Sequence, residues 1–349
     1  MRALVTGANG HIGCHVTRAA VVRGWQPVAF VRETSDHRGL SDLDVEVRTG
    51  DLLDRASLER AMEGVELVLH VGAAHRNCAA DRDAIRLPAV EGTRNVIEAA
   101  RAAGVRRVVY TSTAATVGFA ANPDAPLDEH AHLDHAKSAY TEAKIAAEAL
   151  AQQAARRGDV EIVTLNPSTV LGPRDYRITP ATRAIVGILQ GDPLFLHICP
   201  THVEDVAEAH LLAAEHGEPG ARYLVTGDNI SPAALSALLG VLTGKRPSTI
   251  RPPAFLIKLL VGHAERKALR KGEDSAASRD AIDDLAGGHL VYDSSRSREE
   301  LGATFRSAEA TMRDTLRWLL FVHALKPRVA SRVAATLGTS ADPDSSWIN

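Results

Sequence analysis

The stretch Ala3–Gly13, ALVTGANGHIG, places three glycines at intervals of three directly behind a short apolar run. Glycine marks turns wherever φ must be positive, but the setting here is narrower. Val5 and its neighbours read as a buried strand, and Ile12–Arg23 as the helix that follows. The glycines fall at the joint, where a phosphate would meet the N–H groups of a helix start. In the pattern T-G-x-x-G-x-x-G, formed by Thr6, Gly7, Gly10 and Gly13, each glycine has an expected task. Gly7 permits the tight turn, Gly10 lets a pyrophosphate approach the backbone, and Gly13 lets helix and strand pack closely. His11 and Ile12 complete the loop as expected cofactor contacts, with the backbone of His11 mattering more than its ring.

Outward from that joint, apolar runs alternate with helical patterns. Ala3–Thr6, Val28–Val31, Val45–Arg48, Leu67–Val71, Val108–Ser112 and Glu161–Asn166 read as strands. Ser57–Met62, Val90–Ala102 and Ala139–Arg156 read as helices between them. This βαβα order predicts an α/β Rossmann fold, a doubly wound parallel sheet with helices on both faces. After Pro167 the regularity fades, because Pro173, Pro180, Pro193 and Pro200 divide the segment into loops and short elements. The helix Val203–Glu215 and the strand-like Arg222–Thr226 are expected to return to the main sheet. From Ser231 the chain is mainly helical. The charged stretch Glu265–Asp284 reads as a solvated helix pair or loop rather than a binding patch. The expected division is a nucleotide-binding domain over 1–175, with 203–228 returning to it. A smaller, mainly helical substrate lobe covers 176–202 and 229–325. A tail over 326–349 shows no core-facing pattern.

The end of the second strand bears on which dinucleotide is bound. An acidic side chain there would take the ribose 2′-hydroxyl of NAD, but the chain reads AFVRETSDHR with Arg32 at that place. A guanidinium suits a 2′-phosphate, so NADP(H) is expected in preference to NAD(H). Arg38 is a second candidate contact or a solvated loop charge, and Glu33 weighs slightly the other way. In TGDLLD, Asp51 and Leu52 follow the third strand, where a carboxylate reaches an adenine amino group or merely forms a turn. Gly72, Ala73 and Ala74 in HVGAAH end the fourth strand with room for a flat cofactor.

The reactive group comes from YTEAK, whose Tyr140 and Lys144 project from one helix face. A phenol titrates near pH 10, too high for efficient proton exchange at neutral pH. A neighbouring ammonium and a cationic nicotinamide are expected to lower it, and Lys144 also reaches the nicotinamide ribose. In VVYTSTAATVG, Thr113 is the expected hydroxyl beside Tyr140. Ser112 is its competitor, since a shift of one residue along a strand changes faces.

With TGANGHIG, TGDLLD, HVGAAH, VEGTRNVIEAA, VVYTSTAATVG, YTEAK, NPSTVLGPRD and HVEDVAEAH in order, the chain resembles the extended short-chain dehydrogenases/reductases over Met1–Leu320. FVRETSD, NPSTVLGPRD and the C-terminal pattern look most like the dihydroflavonol reductase-like branch and the hopanoid-associated sugar epimerases. The resemblance implies a Rossmann fold, a nicotinamide cofactor, a Thr/Ser–Tyr–Lys catalytic group, and Pro167 and Ser168 against the nicotinamide. Two departures stand out: Ala89 where many relatives carry Asn, and Thr where Ser is commoner at position 113.

Composition bounds the rest. With 349 residues, 45% of them hydrophobic, the chain can bury a large core. A formal net charge of −3 offers no attraction for nucleic acid or an anionic membrane. Cys14, Cys78 and Cys199 are scattered without metal spacing, as in a reduced cytoplasmic protein. The first strand starts at Arg2 or Ala3 without a leader before it, and Trp318–Val322 is too short to span a bilayer. His202 and Asp205 are expected to start a helix rather than to ligate metal. The expected activity is NADPH-dependent reduction of a carbonyl in a small organic substrate, reversible as an alcohol dehydrogenase. The alternatives are a nucleotide-sugar epimerase or dehydratase and, from another class, a cofactor-sensing protein without turnover. No nucleic acid or inserted membrane is an expected partner, and a homodimer is compatible with these features.

Overall fold

The computed structural model describes residues 1–73, 82–158, 160–272, 275, 277–285 and 288–340. Seven parallel strands form the central sheet: β1 (Arg2–Thr6), β2 (Gln26–Val31), β3 (Glu46–Thr49), β4 (Leu67–His70), β5 (Arg107–Thr111), β6 (Glu161–Pro167) and β9 (Arg222–Val225). Their spatial order is β3-β2-β1-β4-β5-β6-β9. The order reverses between β1 and β4, and ligands of doubly wound sheets bind beyond the strand ends at such a point. A second, two-stranded parallel sheet joins β7 (Thr169–Leu171) to β8 (Pro200–His202).

The period-2 alternation of strands explains how one sheet supports two cores. Ala3, Val5, Ala29, Val31, Leu67 and Leu69 face a core built with α1 (His11–Val22) and α6 (Val203–His216). The intervening Leu4, Val28, Phe30 and Val68 face the opposite core with α2 (Arg55–Ala61), α3 (Asp83–Ala102) and α4 (Ala139–Arg157). Strands buried on both faces read as continuous apolar runs, which is why the sheet was visible in the sequence.

Beyond β6 the chain forms α5 (Pro180–Gln190), α7 (Pro232–Thr243), α8 (Ala254–Lys271), α9 (Arg279–Asp284), α10 (Ser295–Leu301), α11 (Ala308–Phe321) and α12 (Pro327–Leu337). Leu235 and Leu239 of α7, Met312 and Leu316 of α11 and Val333 of α12 share a third core with Ile185 and Leu189 of α5. The stretch after Lys326, expected to lack a core-facing pattern, therefore contributes a packed helix. Val329, Val333 and Ala334 bury one stripe of α12, with Ala330 and Leu337 packed beside it, a helical spacing that was present in the sequence. Helix α3 also starts earlier than Val90 and runs through Pro88, because Ile85 and Ala89 bury against Ala143 of α4. That tertiary contact outweighs the local cost of proline in a helix.

Candidate active site

The glycine loop is built by close backbone approach. Gly7 has φ +65°, and a Cβ there would lie 2.6 Å from Gly72 Cα. A Cβ on Gly13 would lie 2.1 Å from Gly7 O, so no other residue lets α1 sit this near β1. Gly10 differs: a Cβ there would meet only Gly7 O, at 3.2 Å. It caps α1 without a side-chain bond to the first turn, and that turn holds no acidic residue. The N–H groups around His11 and Ile12 thus lack a side-chain cap, which fits an anionic pyrophosphate.

The loop is tied to the end of β4 by a chain of hydrogen bonds with a defined direction. Gly72 N–H donates to Thr6 Oγ1 at 3.0 Å, and Thr6 Oγ1 lies 2.8 Å from His70 Nδ1. His70 Nε2 lies 3.2 Å from Thr93 Oγ1, whose proton goes to Ala89 O at 2.6 Å. Because the Thr93 proton is committed, His70 donates from Nε2 and accepts from Thr6 at Nδ1. Burial pushes the His70 ring down to about 3, which keeps it neutral. Gly72 and Ala73 stand at the mouth of the crevice, while Ala74 and Cys78 lie outside the described residues.

At the far end of the crevice the two arginines differ. Arg32 follows β2, is exposed, and among the described residues has no carboxylate partner. Arg38 binds Asp36, with Nε donating to Oδ2 at 2.8 Å, and its guanidinium stacks over Tyr176 at 4.9 Å. Asp51 makes a turn, its Oδ1 accepting from Leu53 N–H at 2.8 Å. Leu52 packs against Gly72 and Gly92.

The Tyr140 hydroxyl lies near the Thr113 side chain, which favours its ionised form. Thr113 begins the 3-10 turn Ala114–Thr116 directly beyond β5, in extended backbone. Ser112 faces the other way and donates to Glu148 Oε2. Lys144, one turn after Tyr140 on α4, is buried, donates to Thr111 O at 2.9 Å and lies 5.4 Å from the Tyr110 ring centroid. Burial pulls Lys144 down to about 8 against the pull of Glu148, and pushes Tyr140 up to about 12 against the pull of Thr113. The expected lowering of the phenol by Lys144 is therefore absent from the protein alone, because the ammonium is turned toward Thr111 O and the Tyr110 ring. Pro167 ends β6, and Ser168 beside it donates its N–H to Val225 O at 3.3 Å.

Several residues that hold the site together had no signal in the sequence. Glu148 continues the face of Tyr140 and Lys144, two turns from Tyr140, and is buried. Its Oε2 accepts from Ser112, from Asn166 Nδ2 at 2.8 Å, and lies 2.7 Å from Thr116 Oγ1. Its Oε1 lies 2.7 Å from Arg222 Nε on β9. Asn166 Nδ2 also lies 3.1 Å from Thr113 O, so the network holds the hydroxyl-bearing turn against α4. Asp284 of α9 accepts the N–H groups of Lys137 and Ser138 at 2.7 and 2.9 Å, securing the start of α4. The ring of His11 is not a free loop side chain: its Nε2 donates to Pro173 O at 3.1 Å, as does His15 Nε2 at 3.1 Å. Ala89 packs with Ile85 and Ala143 against Tyr140, so the small apolar residue has a packing role under the phenol. His202 caps α6, its Nδ1 accepting from Glu204 N–H at 3.2 Å.

Comparison with known proteins agrees with this geometry. Residues 3–226 match the NAD dependent epimerase/dehydratase family. The chain belongs to that family. Its relatives include Sterol demethylase protein B of Methylococcus capsulatus, 36% identical over 91% of this chain and 98% of that protein. Cinnamoyl-CoA reductase 1 of Oryza sativa is 34% identical over 71% of this chain and 77% of that protein. The crystal structure of gox2253 superimposes with a TM-score of 0.80 and 30% identity, covering 93% of this chain and 99% of that one. Membership of the epimerase/dehydratase family makes this an enzyme of NAD(P)-dependent oxidoreduction.

Proposed function

We propose that the protein reduces a carbonyl group of a small organic substrate to an alcohol, with NADPH as its preferred cofactor. The observation that carries the reading is the nearness of the Tyr140 and Thr113 side chains, with Lys144 one turn further along α4. A nicotinamide dinucleotide bound in the crevice supplies the hydride. Gly7, Gly10, Gly13 and the backbone at His11 and Ile12 hold its pyrophosphate. Asp51, Leu52, Gly72 and Ala73 border its adenosine half, and Pro167 and Ser168 its nicotinamide half. Arg32 pairs with the 2′-phosphate through charge-assisted hydrogen bonds. Tyr140 donates its proton to the substrate oxygen as negative charge develops there, and the Thr113 hydroxyl orients that oxygen. Lys144, freed from Thr111 O by rotation of its flexible stem, stabilises the phenolate left behind and contacts the ribose. The helical elements after Pro167 form the lobe that selects the substrate, and buried Cys14 and Cys199 thiols suit a reducing cytoplasm.

The family's epimerase and dehydratase members motivate a second reading, internal oxidation and re-reduction of a nucleotide sugar on retained cofactor. Arg32 weighs against it, since a closed redox cycle has no need of the NADPH pool. Purified protein is mixed with NADPH and a panel of carbonyl compounds, and nicotinamide absorbance is followed. Turnover should fall by about 10²–10⁴-fold in Tyr140→Phe, with NADPH affinity little changed. Near-normal rates in that variant would place the proton donor elsewhere. Cofactor retained through purification, with no net consumption of NADPH, would favour the second reading.

A further inference from the structure

Helix α8 and the chain leading into it combine charge and exposed apolar surface. Residues 245–271 hold eight Lys and Arg side chains against a single acid, Glu265, in a chain whose formal net charge is −3. The balance of the whole chain hides this local excess. Five of the twelve large apolar side chains exposed among the described residues also fall here. Ile250, Phe255, Leu259 and Leu260 are 77%, 74%, 60% and 56% exposed. Scattered exposed apolar residues need no explanation, but such a cluster does.

The packing of α8 shows which side is free. Ile257 and Ala268 are buried on one side of α8. Opposite Ile257 and Ala268, Phe255, Leu259, Arg266 and Arg270 share one helical face, apolar in its first half and cationic in its second, with Arg279 of α9 lying across Gly262 between the halves and its Nε 3.7 Å from Glu265 Oε2. The ion pairs of α8 use Lys258, with Asp283, and Glu265. Arg266, Lys267, Arg270 and Lys271 have no carboxylate partner among the described residues.

We propose that this face docks peripherally on an anionic lipid surface. The Phe255–Leu260 end enters the boundary between headgroups and acyl chains, and the Arg266–Lys271 end meets lipid phosphates. No helix among the described residues is long and apolar enough to cross a membrane, so the contact is a docking and not a span. A second copy of this chain is the poorer occupant. A two-fold contact brings the same patch against itself and sets its unpaired cations against each other. The docked face also adjoins the site: Lys258 holds Asp283, and the next residue, Asp284, secures the start of α4 two residues before Tyr140. The inference does not depend on the proposed reaction, since its test reads binding and not turnover.

The full-length protein is sedimented with phosphatidylcholine vesicles and with vesicles that also contain phosphatidylglycerol, at low and high salt. Recovery should favour the anionic vesicles by about tenfold or more at low salt and fall at high salt. Phe255→Ser with Leu259→Ser, and separately Arg266→Glu with Arg270→Glu, should each remove most of that binding. These side chains face outward, so thermal melts should match the parent protein. If either pair melts early, Lys267→Gln with Lys271→Gln replaces it and should weaken binding in the same direction. Equal recovery on neutral and anionic vesicles, or binding unchanged in properly folded variants, overturns the proposal. Self-association that disappears in Phe255→Ser, without lipid binding by the parent, also overturns it and assigns the face to a second copy.

Discussion

The glycine loop at Gly7–Gly13 and the loop Gly172–Asp175 meet at a single carbonyl, Pro173 O, and they do their work by opposite means. The first works through backbone: a positive φ at Gly7, the 2.1 Å approach that only glycine permits at Gly13, and uncapped N–H groups at the start of α1. The second works through contacts with remote parts of the chain. Pro173 O accepts from His11 and His15, Arg174 NH2 donates to Asp42 at 3.0 Å, and Asp175 O accepts from Trp318 Nε1 at 3.2 Å. One loop binds the dinucleotide, on the reading proposed here, and the other ties that half of the molecule to the helical lobe. Backbone work restricts residue identity at the spot itself, whereas side-chain work spreads the requirement over partners far apart in sequence.

Substitutions can break this contrast at its strongest point. Gly13→Val should cost about 3 kcal/mol or more, because overpacking here is against backbone that cannot yield. Thermal unfolding measures it, and a variant melting like the parent would show that the α1–β1 approach is not required. Gly10→Val tests the same side chain in the same loop with a different expected outcome. It should remain folded, because its Cβ meets one backbone oxygen at 3.2 Å where a Cβ at Gly13 would meet one at 2.1 Å, yet lose nucleotide affinity in a fluorescence titration. Undiminished NADPH affinity would return Gly10 to a purely structural role.

A smaller effect is expected at the exposed edge. Arg32→Ala should cost NADPH about 1.5–3 kcal/mol of binding and leave NADH nearly unchanged, as expected for lost charge-assisted phosphate contacts. Equal affinity of the parent protein for both cofactors would defeat the assignment.

A last effect builds up gradually with pH and concerns acid and the buried histidines. Burial lowers His11 and, much further, His15, while it holds His70 at about 3 and His210 at about 4. An unfolded histidine titrates near 6.5, so between that pH and its folded value only the unfolded chain takes up the proton. Stability must then fall as pH falls, by about 1.4 kcal/mol per pH unit for each ring held fully neutral. Denaturant melts from pH 6.5 down to 4.5 should show this slope, and His15→Asn should make it shallower. An unchanged slope would mean that His15 is not held neutral at the joint.

The two arginines show how far local reading reaches. Arg32 and Arg38 are both plausible phosphate contacts in the linear chain, and only the fold shows that Asp36 and Tyr176 occupy Arg38. Thr113 and Ser112 are adjacent hydroxyls in the sequence. Turning one toward Tyr140 and the other toward Glu148 required the strand end, the following turn and α4 to be assembled together.

By itself the sequence determined the parallel sheet, the strand–glycine–helix joint, the pairing of Tyr140 with Lys144 on one helix face, and the cationic side chain after β2. Each is a short-range property, because periodicity, φ requirements and i,i+4 spacing act within a few residues. Tertiary structure alone decided the Thr6–His70–Thr93 chain, the buried Glu148 network, and the docking of His11 and His15 on Pro173. It also decided that burial would set Lys144 and Tyr140 against their expected protonation behaviour. Desolvation and hydrogen-bond direction depend on everything that surrounds a group, and most of those neighbours are remote in the chain.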